Sequence, residues 1–151
     1  MSKTISRVIV RTVEETCEFA LKEVAPVLKE GDVLILDGGL GAGKTTFVKC
    51  IVEYYGISGN IVSSPTFTIM NVYRGEKVKL FHVDLYRIEH NDDIFFDELF
   101  ETSSNCIFLV EWGKRFVTDI VKMVEGRIFI LNIRIIGDQK RELIFETYSD
   151  N

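Results

Sequence analysis

The chain has 151 residues, 46% of them hydrophobic and 27% charged, with 18 Lys and Arg against 23 Asp and Glu for a net charge of -5. That length suits a single domain over residues 1–151 with one proper core, and the acidic balance excludes a protein that grips nucleic acid through a basic surface of its own. No run approaches the roughly 18 apolar residues that span a bilayer, and "MSKTISRVIVRT" is charged where a secretion signal needs an apolar segment, so the reading is cytoplasmic with no membrane contact.

In chain order, "SRVIVRT" reads as an opening strand. Thr12 and Glu15 then form a capping box, and Val13, Cys17, Ala20, Leu21 and Val24 recur at helical spacing, which predicts a helix to about Leu28. "DVLILDGG" is a short apolar run closed by glycines, and from Lys44 the spacing is again helical, with Gly56 placed to end the helix. "PTFTIMNVY" and "KVKLFHVDLY" flank "RGEK", the pattern of an antiparallel hairpin turning at Gly75. A short helix is expected around "DDIFFDELF". "CIFLVEW" is an unbroken apolar run, as in a strand buried on both faces, and a helical stretch follows from Lys114 to Val124. "RIFILNIRIIG" and "RELIFETY" make a second hairpin around "GDQK", and "YSDN" reads as a frayed tail. The sum is an α/β fold, a mixed parallel and antiparallel sheet flanked by helices. Cys17, Cys50 and Cys106 are odd in number and contain no C-x-x-C pair, so they read as reduced apolar filler.

"GGLGAGKT" matches G-x-x-x-x-G-K-S/T at Gly38, Gly43, Lys44 and Thr45. The loop leaves an apolar strand and enters a helix, which aims backbone N–H groups and the positive helix end at a phosphate. Lys44 would reach the β- and γ-phosphates, and the Thr45 hydroxyl would coordinate Mg²⁺. Such a site needs a carboxylate at the end of a neighbouring strand, and Asp84 and Glu111 compete for that place. Glu111 ends the fully apolar run and is the better direct metal partner. Asp84 ends a strand with period-two alternation, in which His82, Asp84 and Tyr86 form a wet polar face; Glu89 and His90 beyond it read as surface.

"LGAGKTTF", "SSPTFTIMNVY", "FHVDLYRI" and "LVEW", in this order, resemble the TsaE (YjeE) family, the small ATPase of tRNA threonylcarbamoyladenosine biosynthesis. The resemblance covers nearly the whole chain. It implies a P-loop NTPase-like fold, ATP and Mg²⁺ as cofactors, and TsaD-like and TsaB-like subunits as partners, with tRNA touched only indirectly. It implies that ATP contacts Gly39, Leu40, Gly41, Ala42, Gly43, Lys44, Thr45 and Thr46, and that Thr45 and Glu111 bind the metal. Asp84 is then the catalytic candidate for orienting water, beside Lys44, and Thr66 in "SPTF" would sense the γ-phosphate. Thr12, Thr16 and Arg141 fall where similar proteins contact base and sugar. Gly39 departs from the family pattern, which commonly has an acidic or amide residue there. Trp112 reads as core or as a wall of the site, and Arg87 and Arg115 as surface cations or transition-state partners. Two other readings stay open from the residues: a P-loop small-molecule kinase, and a nucleotide-dependent binding module with incidental hydrolysis.

Overall fold

The computed structural model describes residues 1–89, 98–100 and 105–150. Its centre is a seven-stranded sheet made of β1 (Ser2–Val10), β2 (Val33–Asp37), β3 (Met70–Arg74), β4 (Lys79–Asp84), β5 (Cys106–Glu111), β6 (Ile128–Gly137) and β7 (Lys140–Tyr148), in the spatial order β1-β7-β6-β2-β5-β4-β3. The four middle strands, β6, β2, β5 and β4, run parallel, and antiparallel partners close both flanks. The expected mixed sheet with helices on its faces is therefore the observed architecture.

Period two along the parallel strands divides the core in two. Leu34 and Leu36 of β2 join Leu109, Phe129 and Leu131 under α1 (Val13–Phe19) and α2 (Lys44–Tyr54), where Phe47, Val48 and Ile51 cover them. Val33 and Ile35 face the other way with Phe108, Val110 and Ile130, beneath Phe116 and the Ile120 of α3 (Val117–Met123). Residues buried on both faces explain why β2 and β5 are continuous apolar runs. At the opposite end of the strands, Asp32, only 2% exposed, accepts from the N–H of Lys29 and from the backbone and guanidinium of Arg127, which locks the entry to β2 against the entry to β6.

Several expectations need correction. The first strand begins at Ser2, and the first helix follows α1 with a π turn over Ala20–Val24 and a 3₁₀ turn over Ala25–Val27, where Pro26 cannot donate to a helical ladder. β3 starts at Met70, five residues after Pro65, because the intervening chain turns back on itself: Ile69 donates to the Pro65 carbonyl and has φ of 69°. The tail is anchored, since Ser149 exchanges backbone hydrogen bonds with Met1. Cys17 and Cys50 are joined as a disulfide across α1 and α2, with Cα atoms 5.1 Å apart. Their separation of 33 residues conceals a proximity that only helix packing creates. Cys106 is a buried thiol whose pKa burial pushes up to about 11. The helix expected around "DDIFFDELF" lies mostly outside the described residues, of which 98–100 are helical, and His90 lies outside them too.

Candidate phosphate and nucleotide site

β2, β4 and β5 end level with one another, with Asp84 paired to Glu111 and Leu36 to Glu111 in the parallel ladders. The glycine loop leaves β2 at this edge and enters α2 at Lys44, the crevice at strand ends where ligands of open α/β sheets collect. Gly43 has φ of 109° and Gly41 φ of 76°, left-handed conformations that other residues adopt only under strain. The result is a cleft of about 340 Å³ lined by Gly39, Leu40, Gly41, Ala42, Gly43, Lys44, Thr45, Thr46, Ser64, Thr66, Asp84, Glu111 and Trp112. Every residue expected at the phosphates and the metal lines it.

Lys44 is 6% exposed; its ammonium donates to the Gly38 carbonyl at 2.5 Å and the Gly39 carbonyl at 3.1 Å and lies 3.8 Å from the centre of the Trp112 ring. Burial lowers its pKa, against the opposing pull of Glu111, Asp37 and Asp84. Trp112, with φ of 59° and its ring 5.0 Å from Tyr86, is thus a wall of the site. The Thr45 hydroxyl donates to the Glu111 carboxylate, at 3.3 and 3.2 Å from its two oxygens. This pair of hard oxygen donors fits Mg²⁺, which binds through one or two protein groups plus phosphates and water. Among the described residues no three His, Cys, Asp or Glu side chains converge into a cage that would hold an ion by itself.

Asp84 is not on a wet face. It is 1% exposed, roofed by the 63–69 turn: Thr66 donates its hydroxyl to Oδ2 at 2.8 Å, Ser64 donates at 3.4 Å, and the Tyr86 N–H meets Oδ1 at 2.8 Å. His82, expected on the same solvated face, is fully buried. Its Nε2 is 2.5 Å from Glu111 Oε2, and its Nδ1 is 2.9 Å from the Tyr73 hydroxyl. Sequence reasoning missed both Tyr73 and His82, although alternating polar residues leading into an acid were a visible signal. Arg115 donates to the carbonyls of Leu85, Tyr86 and Ile88, clamping the chain after Asp84, and Arg87 lies over the Phe67 ring.

On the far side of the loop, a second cavity of about 480 Å³ brings Thr12, Thr16 and Arg141 together with Gly41, Ala42, Gly43 and Thr46. Thr12 caps α1 by accepting from the Glu15 N–H, Thr16 donates back to the Thr12 carbonyl, and Arg141 Nε donates to the Ala42 carbonyl. The two cavities share Gly41 to Gly43 and Thr46, so they meet along one loop.

A glycine loop at a strand-to-helix junction, ringed by a lysine, a hydroxyl and two buried strand-end acids, defines a P-loop NTPase-like protein. A crystal structure of Bacillus subtilis YdiB superposes with a TM-score of 0.70 at 32% identity, covering 99% of this chain and 89% of that one. The family model described as "Threonylcarbamoyl adenosine biosynthesis protein TsaE" matches residues 10–143, and the chain belongs to the TsaE family. Similar relatives named "tRNA threonylcarbamoyladenosine biosynthesis protein TsaE" include one from Bacillus subtilis, 44% identical over 133 residues, covering 87% of this chain and 79% of that protein. Another, from Aquifex aeolicus, is 36% identical over 140 residues and covers 92% and 94%. A third, from Rickettsia bellii, is 32% identical over 137 residues and covers 90% and 91%. No helix among the described residues is long and apolar enough to cross a membrane.

Proposed function

We propose that this chain binds ATP with Mg²⁺ and hydrolyses it in support of threonylcarbamoyladenosine modification of tRNA, acting on TsaB-like and TsaD-like subunits in the cytoplasm. The observation that carries the reading is the phosphate loop set beside two buried acids at the level ends of β4 and β5. The relatives' names supply the pathway, and the acidic chain supports indirect contact with tRNA.

In this reading the phosphates lie along Gly39 to Thr46, where loop N–H groups and the α2 N-terminus favour negative charge. Lys44 exchanges the carbonyls of Gly38 and Gly39 for phosphate oxygens. Thr45 and Glu111 would hold Mg²⁺, which supplies neutralising charge at the β- and γ-phosphates when bound. Asp84, held at both oxygens by Tyr86 and Thr66, orients the attacking water, and Thr66 reports the γ-phosphate to the 63–69 turn. The nucleoside fits the cavity of Thr12, Thr16 and Arg141.

The test is calorimetric binding of ATP and GTP to wild type and Lys44→Ala, with phosphate release measured with and without TsaB-like and TsaD-like partners. Slow turnover that rises with the partners is expected, together with loss of binding in Lys44→Ala. Undiminished binding by that variant removes the phosphate-loop assignment, and turnover that requires a small phosphoryl acceptor makes the protein a kinase.

A further inference from the structure

Two buried hydrogen bonds lead from the Tyr73 hydroxyl through His82 to the carboxylate beside Thr45. The Ser63 carbonyl accepts from the Asn71 amide at 3.2 Å and lies 3.4 Å from the Tyr73 hydroxyl; Tyr73 meets His82 Nδ1 at 2.9 Å, and His82 Nε2 meets Glu111 Oε2 at 2.5 Å. Tyr73 has one hydrogen to give, and the shorter contact is with Nδ1. When Tyr73 donates there, the neutral ring carries its proton on Nε2 and donates it to Glu111. His82 is fully buried and Glu111 is 3% exposed, so this contact is shielded from solvent. A glutamate side chain has three rotatable bonds, and without the His82 donor its carboxylate is held toward Thr45 only by the longer hydroxyl contacts at 3.2 and 3.3 Å.

We propose that His82, oriented by Tyr73, is a positioning residue that fixes the Glu111 carboxylate toward Thr45 for a divalent cation. The inference rests on the nucleotide and metal reading of the site. Partners that hold a metal ligand in this manner set affinity by about 10- to 100-fold.

The experiment is calorimetric titration of ADP into the full chain, with and without Mg²⁺, for wild type, His82→Asn, His82→Gln and Tyr73→Phe, with thermal melting of each. A glutamine amide nitrogen reaches about as far from Cβ as Nε2 does, whereas an asparagine amide falls short of Glu111. The expected result is that His82→Asn binds ADP without Mg²⁺ within about twofold of wild type while needing about tenfold more Mg²⁺ for its metal-dependent affinity. His82→Gln should restore most of that response, and Tyr73→Phe should fall between. Equal losses in the Asn and Gln variants, or a wild-type Mg²⁺ response in His82→Asn, overturn the proposal. If His82→Asn fails to fold, Tyr73→Phe decides, because it removes one hydroxyl and keeps the ring; an unchanged Mg²⁺ response there overturns the proposal. Wild-type protein whose ADP affinity ignores Mg²⁺ overturns the metal site itself and this inference with it, a result distinct from a variant-specific failure.

Discussion

Asp84→Asn separates the chemistry of the site from its architecture. The buried carboxylate accepts from the Tyr86 N–H and the Thr66 hydroxyl, both at 2.8 Å. Asparagine can present its carbonyl to Tyr86 and its amide to Thr66, whose own hydrogen then turns to Ser64, 2.9 Å away. Both contacts survive as neutral bonds, which carry roughly half the strength of charge-assisted ones, so the cost is about 1–2 kcal/mol. For a chain of this size that lowers Tm by about 2–8 °C. Asp84→Ala, in contrast, strands the Tyr86 N–H and leaves a small cavity; the orphaned donor alone costs about 1–3 kcal/mol. Losing a group that orients or deprotonates water should slow turnover by about 10²- to 10⁴-fold, or about 2.7–5.4 kcal/mol in the barrier. The assay pairs melting curves with calorimetric MgATP binding and partner-stimulated phosphate release at 25 °C, well below the transition. A folded Asp84→Asn that binds MgATP and has lost turnover is the expected outcome. Turnover within threefold of wild type refutes the role of Asp84. If this variant loses Mg²⁺ and nucleotide while Glu111→Gln keeps both, the roles of the two acids are reversed.

Other outcomes follow from the same structure. A Cβ on Gly126 would lie 2.0 Å from the Gly31 oxygen, 2.4 Å from its carbonyl carbon and 3.0 Å from the Asp32 nitrogen, all of them backbone, so Gly126→Ala should destabilise by about 3 kcal/mol or more; a melting shift under about 3 °C contradicts that packing. Thiol titration of denatured, unreduced protein should count one cysteine, rising to three after reduction, and three before reduction refutes the Cys17–Cys50 bond. Cys106 moves from an ordinary 9.0 to about 11, so the folded chain keeps a proton that the unfolded chain releases, and this contribution to stability is lost as pH rises from 9 toward 11. Cys106→Ala should flatten that part of the stability profile, and an unchanged slope counts against the shift. Because the Lys44 ammonium lies 3.8 Å from the Trp112 ring, ATP that draws it away should change the fluorescence of this single tryptophan; no change at saturating ATP contradicts the contact or the lysine's role.

What the sequence by itself determined is whatever local rules encode. The glycine loop entering α2, the hairpin turns at Gly75 and around "GDQK", and the doubly buried β2 and β5 are all written in spacing and turn chemistry within a few residues. The two acids were legible as well, because the end of a strand can be read from where its apolar run stops. Tertiary structure alone decided which distant side chains meet. Arg141 reaches the Ala42 carbonyl across 99 residues because β7 and β6 stack beside β2. Cys17 finds Cys50 because α1 and α2 cover the same face of the sheet. Alternation set His82 and Asp84 together on one face of β4 and could not tell solvent from a buried polar layer. The parallel pairing of β4 with β5 and the turn folded over them removed the water, and so bound His82 to Glu111 and Asp84 to Thr66.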